Sequence, residues 1–322
     1  MILCVGESII DFISCENGKS LKDCKTFSKQ PGGSSANVSI GLSKLEIPTA
    51  FSGIVGADEF GEYLENFLIS NSIDCSLLKK SNKYRTPIVF VALDENGKNE
   101  FLFYRDFALG NEYKITSNDL KKLKDLSILH FSSVVLRQVN FKLQLAKIIE
   151  TTRFKLKKLV HFDTNIRFSL WQNQKALKQT IIDFIKLSDI VKFSEDELYF
   201  ISGIKDIEKS LKSTKLLKGK LVIVTVAEHG AYAYWHNEII YSPAFKIKAI
   251  DTTGAGDAFV SALLSRLYKE NITTEKDLAI ITKKQLNDWL KFANAAGALC
   301  CAKRGATTGL ADEQTIFKFC EK

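Results

Sequence analysis

The sequence predicts an α/β protein: one mostly parallel sheet with helices on both faces. The opening run Ile2-Leu3-Cys4-Val5 is continuously apolar, as a strand buried on both sides must be. Four further apolar runs, Ile128–Ser133, Leu159–Asp163, Ile190–Phe193 and Leu221–Val226, alternate with helical periodicities around 140–152, 172–187 and 205–218. No low-complexity linker or fixed-period repeat interrupts the 322 residues, so a single unit spanning 1–322 is expected.

Composition narrows the function classes. The 45% hydrophobic and 25% charged content is that of a globular protein with a sizeable core. The net charge of +8 comes from scattered lysines, with no interleaved basic and aromatic patch, so nucleic acid is not an expected partner. The seven cysteines are odd in number, spread out and without a C-x-x-C pair, which points to reduced thiols and not to a disulfide framework or zinc site. The four histidines lack metal-ligand spacing and read as ordinary strand or loop residues. Ile2–Val5 is too short for an export segment and no apolar run spans a bilayer, so a cytoplasmic protein without membrane contact is expected.

Along the chain, Asp11 follows the first strand and Gly6-Glu7 as a polar residue at a strand end. Gly18-Lys19-Ser20 fails the Walker A pattern, whose leading glycine position holds Ile13, and reads as a turn. Pro31-Gly32-Gly33-Ser34-Ser35-Ala36-Asn37 precedes the helical pattern Val38, Leu42 and Leu45, with Ser34 or Ser35 as the expected N-cap. Gly32 and Gly33 would let backbone approach a small ligand, with Asn37 pointing into the same space. Gly53–Gly61 reads as a structural strand–turn–helix. Ile88–Leu93 and Glu100–Tyr104 are aromatic-rich runs joined by Asp94-Glu95-Asn96-Gly97, a hairpin signal that leaves Arg105 at a strand end. Phe162-Asp163-Thr164-Asn165-Ile166-Arg167 follows a strand's carboxyl end, where such sheets bind ligands, so Asn165 and Arg167 are candidate contacts. Ser194-Glu195-Asp196-Glu197 has the form of a capping box. Phe292–Ala298 is a small-residue helix face suited to close approach.

The densest signal is Asp251-Thr252-Thr253-Gly254-Ala255-Gly256-Asp257-Ala258-Phe259. Before it, Phe245, Ile247 and Ala249 alternate with lysines, the period of a half-buried strand; after it, Phe259, Leu263 and Leu267 repeat at helical spacing. Glycines at a helix entry leave backbone N–H groups uncovered and add the dipole's partial positive charge, which makes an anion cradle. Asp257, in the first turn beside it, is placed to accept a proton from a hydroxyl attacking phosphorus. Phe259 at the third glycine position excludes the dinucleotide fingerprint.

The run DTTGAGDAF resembles the C-terminal signature of the ribokinase-like, or PfkB, carbohydrate kinases, and other segments extend the likeness across nearly the whole chain. The resemblance implies a three-layer α/β sandwich with a small β lid built from about 12–30 and 85–106. It implies Asp257 as catalytic base and the backbone of Gly254, Ala255 and Gly256 as anion hole. Gly6-Glu7 with Asp11 is similar to the G-E-x-x-x-D opening of fructokinase-like members, and Gly32 to Asn37 to their G-G-x-x-A-N segment. Asp11, Gly32, Gly33, Asn37, Arg105, Asn165 and Arg167 are thereby implied as sugar-site residues. Glu197 corresponds to the glutamate that orients water ligands of nucleotide-bound Mg²⁺. Lys192, Ser194, Thr225, Gly230, Asn294 and Gly297 are implied to border ATP; Ala227 departs from the glycine usual in that turn. Some members bind K⁺ near the equivalent of Asp251 and Thr253, and relatives dimerise through the lid. Phosphorylation of fructose on a primary hydroxyl is the implied activity. The alternatives are another acceptor (2-keto-3-deoxygluconate, aminoimidazole riboside or ribose) and a catalytically silent sugar-binding regulator.

Overall fold

In the computed structural model, residues 1–16, 18–93, 99–104 and 107–321 are described. Thirteen strands are present among them: β1 (Ile2–Val5), β2 (Ile9–Ser14), β3 (Phe27–Gly32), β4 (Thr49–Gly56), β5 (Asp74–Ser81), β6 (Ile88–Leu93), β7 (Asn99–Tyr104), β8 (Ile128–Ser132), β9 (Leu159–Asp163), β10 (Ile190–Ser194), β11 (Leu221–Thr225), β12 (Gly230–Trp235) and β13 (Glu238–Pro243). Nine form one sheet in the order β13-β12-β11-β10-β9-β8-β1-β4-β5. All pairings from β11 to β5 are parallel, and only the β11–β12 and β12–β13 pairs are antiparallel.

The continuous apolar character of β1 has its cause here. Ile2 and Cys4 enter one core, and Leu3 and Val5 enter the other on the opposite face. The first core is covered by the helices Ser34–Lys44, Ala255–Lys269 and Lys283–Cys301, the second by Val139–Glu150, Gln174–Lys186 and Glu195–Ser202. The result is helix on sheet on helix, as the alternation predicts. Gly41 on the helix Ser34–Lys44 lies so close to the helix Ala255–Lys269 that a Cβ on it would sit 2.4 Å from Ser261 Oγ. His130 and His161, paired in register on β8 and β9, bring their Nδ1 atoms to 2.9 Å in the first core. Burial holds both imidazoles neutral, pushing His130 down to about 3.

A second sheet, β3-β2-β6-β7, stands apart from the first. Its β2–β6 pair is parallel and its two outer pairs antiparallel. Ile10, Phe12 and Ile88 pack it against Phe60, Tyr63 and Leu64 of the helix Glu59–Ser70. Asp11 lies on the other face of β2, with Ile9 and Ile13. The Asp94–Gly97 turn falls outside the described residues.

Two local expectations are corrected. Residues 245–249 form no strand, because β13 ends at Pro243 and among the described residues no further strand lies beyond it; Phe245 instead packs on Phe319, ring centroids 5.1 Å apart. The helix Ser34–Lys44 is capped by Gly33 with no side-chain cap bond, so neither serine is the N-cap.

Asp58 shows how the second sheet is tied down. It caps the helix Glu59–Ser70 through Gly61 N–H at 2.9 Å, and also accepts from Thr86 N–H and Oγ1 at 2.8 and 2.6 Å. Burial pushes its carboxyl up, but these bonds outweigh it and hold the group below its ordinary value. Its stabilising contribution is therefore present above the unfolded-state value and fades as pH falls through the folded one. Asp58→Ala is expected to lower the unfolding free energy in urea by about 1–2 kcal/mol at neutral pH, and by less once carboxylates are protonated.

Candidate functional site

The strand order reverses at β1, whose neighbours are β4 on one side and β8 on the other. A crevice opens at the carboxyl ends of strands around such a point. Ser35 stitches it, its Oγ lying 3.0 Å from Val5 O and 3.4 Å from Ser132 Oγ. Beside it the first turns of the helices Ser34–Lys44 and Ala255–Lys269 meet. Ser34 Oγ donates to Asp257 Oδ1 at 2.7 Å and Asn37 Nδ2 to Oδ2 at 2.8 Å. Asp257 is buried, and burial raises its pKa; Asn37, Ser34, Arg167 and Lys192 oppose that rise. A carboxylate so held is a better proton acceptor than an exposed one.

The loop before Asp257 is held open by its own packing. Asp251 accepts from Thr253 N–H at 2.9 Å and from Gly305 N–H at 2.8 Å. Gly254, at φ 80°, lies against Ala306, whose Cα would be 2.7 Å from an added Cβ. Gly297 on the helix Lys283–Cys301 backs the loop, with Ala255 O 3.3 Å from the position of a Cβ. The N–H groups of Gly256 and Asp257 have no helical carbonyl one turn behind them, so they are donors for an anion.

Lys192 completes the positive side. Its buried Nζ lies 3.4 Å from where a Cβ on Gly256 would be, and 3.2 Å from Asp163 Oδ1. Burial disfavours the ammonium, but Asp163, Glu197 and Asp257 outweigh it and hold the amine above its ordinary value. Asp163 is raised, by burial first and by Glu197 and Asp257, against the pull of Lys192. Nearby, Glu197 closes the capping box with Ser194 and also accepts from Thr164 Oγ1 and Ile166 N–H. Among the described residues no cluster of three or more His, Cys, Asp or Glu side chains is arranged to hold a metal directly.

Asp11 is seated where Gly32 has no side chain, since a Cβ there would meet Asp11 Oδ2 at 2.1 Å. Burial and the nearby Glu7 raise it to about 7, against Arg167, with Asp257 adding to the rise. A small recess joins Asp11, Ile13 and Ser14 of β2 to Asp251, Thr253 and Arg304. Asn165, at φ 31°, and the exposed Arg167 follow β9. Asp11, Gly32, Gly33, Asn37, Arg167, Lys192 and Asp257 are thus brought together around one crevice. Further out, Thr225 ends β11, and Gly230 turns the chain at φ 120° against Ser242 O. Asn294 donates its amide to Ser242 O and Pro243 O at 3.0 and 3.2 Å, so its hydrogens are engaged within the fold. Arg105 lies outside the described residues.

Sequence reasoning missed two partners. Ser34 entered only as a helix cap, and Asp163 was not placed opposite Lys192. A single charge in each of two successive apolar strands, Asp163 ending β9 and Lys192 inside β10, was the available signal for the ion pair.

The profile of the pfkB family carbohydrate kinase matches residues 1–313. The chain is 33% identical to fructokinase-1 of Zea mays over 324 residues, covering 100% of this chain and 98% of that one. It is 36% identical to the probable fructokinase-7 of Arabidopsis thaliana over 317 residues, covering 95% and 88%. A Vibrio cholerae fructokinase structure with fructose, ADP and calcium ion superposes with a TM-score of 0.83 at 29% identity, covering 99% and 98%. An uncharacterised Pyrococcus horikoshii sugar kinase in complex with ATP gives 0.82 at 31%, covering 100% and 99%.

Breaking the Lys192–Asp163 pair on one side should be costly. Lys192→Met is expected to destabilise the fold by about 3–5 kcal/mol in denaturant melts, because Asp163 would remain buried and unpaired. Adding Asp163→Asn to the same chain should recover part of that loss.

Proposed function

The chain belongs to the pfkB family of carbohydrate kinases, and we propose that it transfers the γ-phosphoryl group of ATP to the primary 6-hydroxyl of D-fructose. Full-length identity to plant fructokinases and likeness to a fructose-bound fructokinase structure support this acceptor. The observation that carries the chemistry is the buried Asp257 carboxylate beside the first-turn N–H groups of its own helix. Asp257 takes the hydroxyl proton as the oxygen attacks phosphorus, and ADP leaves with the electrons of the broken bond. The Gly254–Gly256 backbone and Lys192 stabilise the charge spreading over the transferred group.

Asp163 and Glu197 are two buried carboxylates at the ends of adjacent strands that would hold a hydrated Mg²⁺ through its waters, with Lys192 beside them. When bound, Mg²⁺ supplies charge neutralisation on the triphosphate. K⁺ beside Asp251 is the further reading; a Vibrio cholerae fructokinase structure contains potassium ion. The nucleotide runs from Lys192 and Ser194 past Thr225 and Gly230 towards Asn294 and Gly297. The sugar lies between Asn37, Arg167 and Asp11, and the second sheet serves as its lid, excluding water. Exposed Phe101, Leu102 and Tyr104 on β7 suit a lid-to-lid homodimer. We place the enzyme in the cytoplasm; among the described residues no helix is long and apolar enough to cross a membrane.

Asp257→Asn is expected to abolish turnover while leaving ATP affinity nearly intact by calorimetry; a near-wild-type rate removes the base assignment. ADP release measured across fructose, ribose, 2-keto-3-deoxygluconate and aminoimidazole riboside identifies the acceptor, and release with none of them favours the silent regulator. Asp11 must be ionised to accept a sugar hydroxyl fully, so the sugar KM is expected to rise as pH falls through about 7. Asp11→Asn should flatten that dependence.

A further inference from the structure

On the two helices that meet at Asp257, three serines turn back on their own helix, while Ser35 and Ser43 reach backbone carbonyls of other elements. Ser39 donates to Ala36 O, Ser261 to Ala258 O and Ser265 to Ala262 O, at 2.7 to 2.9 Å. Ser34 cannot do so, because it is the first helical residue and no helical carbonyl lies behind it. Its start point is fixed by Gly33, at φ 103°, where a Cβ would meet Glu7 O at 2.3 Å. The hydroxyl is buried, with 8% of the residue exposed, and is aimed at Asp257 Oδ1. Asn37, three residues on and so on the same helix face, engages Oδ2. Each carboxylate oxygen thus has one donor from a single rigid element. Rotation about the Asp257 Cβ–Cγ bond would break both bonds together. Asn37 keeps its own Oδ1 buried and without a partner, an acceptor left for an incoming hydroxyl.

We propose that Ser34 is a positioning residue for phosphoryl transfer: with Asn37 it clamps the Asp257 carboxylate so that its remaining lone pairs face the attacking sugar hydroxyl. The inference rests on Asp257 being the base. Ser34 occupies a position that the G-G-x-x-A-N pattern leaves open, so the second donor belongs to this chain's own sequence. Asn37 then has two tasks, holding the carboxylate with its amide and meeting the sugar with its carbonyl, while Ser34 has only the first. Loss of Ser34 should therefore impair the chemical step and spare sugar binding.

The test combines kinetics with titration of the full-length chain carrying ¹³C-carboxyl aspartate, the Asp257 resonance being identified by its disappearance in Asp257→Asn. In Ser34→Ala the Asp257 midpoint and the acid limb of kcat are expected to move together to higher pH, because a bond favouring the ionised form is gone. kcat should fall by about ten- to a hundred-fold, the range for a hydrogen bond to a charged group, with the sugar KM nearly unchanged. Ser34→Thr, which keeps the hydroxyl, should restore both midpoint and rate. An unmoved Asp257 titration in Ser34→Ala, or a Ser34→Thr enzyme that behaves like Ser34→Ala, overturns the inference. A shifted titration in Ser34→Ala together with an active Asp257→Asn enzyme leaves the clamp standing and removes the base assignment instead.

Discussion

A carboxylate taken out of water must be met by donors or it takes up a proton. Asp257 is such a group, and much of the molecule's local detail follows from meeting it. The helix Ser34–Lys44 has to begin within reach, so a residue without a side chain stands at 33. The opposing helix must present its first turn uncapped, so Gly254 precedes it and Gly256 lies in its first turn. Lys192 is buried close by, and its own burial is tolerated because Asp163 ends the neighbouring strand. Each charge is affordable only in the presence of the others.

That network needs a frame that does not yield. The parallel strands supply one, because both of their faces are packed and their carboxyl ends are fixed relative to one another. Asp163 ends β9 and lies in register with Lys192 in the middle of β10, so the register of two adjacent strands sets the spacing of the ion pair. The second sheet is attached differently, through a modest apolar contact with the helix Glu59–Ser70 and a few polar ties. Among those ties are Asp58 to Thr86 and Arg304 to Ser14 O. An element held that way moves more readily than one packed on both sides.

Where burial pattern alone decides conformation, the sequence was readable. β1, β8, β9, β10 and β11 lie within a residue of the expected runs, because a strand covered on both faces tolerates little besides apolar side chains. The Ser194–Glu197 capping box was readable because it is local chemistry at fixed spacing. Residues 245–249 misled because alternation reports which side chains meet a surface, and cannot tell whether another strand is there to pair with. Ser34 misled for a related reason. A serine before a helical pattern has two uses, and the choice depended on a carboxylate far along the chain. The ion pair of Lys192 with Asp163 was hidden likewise, since the register that sets the two residues side by side on β9 and β10 does not appear in either strand's own pattern.

The two bonds to Asp257 span 223 and 220 residues, and Gly41 is seated against Ser261 on the same pair of helices. During synthesis, then, the apolar flank of the amino-terminal helix must wait, unclad, until the ribosome has delivered the last quarter of the chain. Contacts of such long range close late. A truncated product ending before residue 251 would carry all thirteen strands yet neither Asp257 nor the cover for that helix. It would be sticky towards its neighbours and a burden for chaperones.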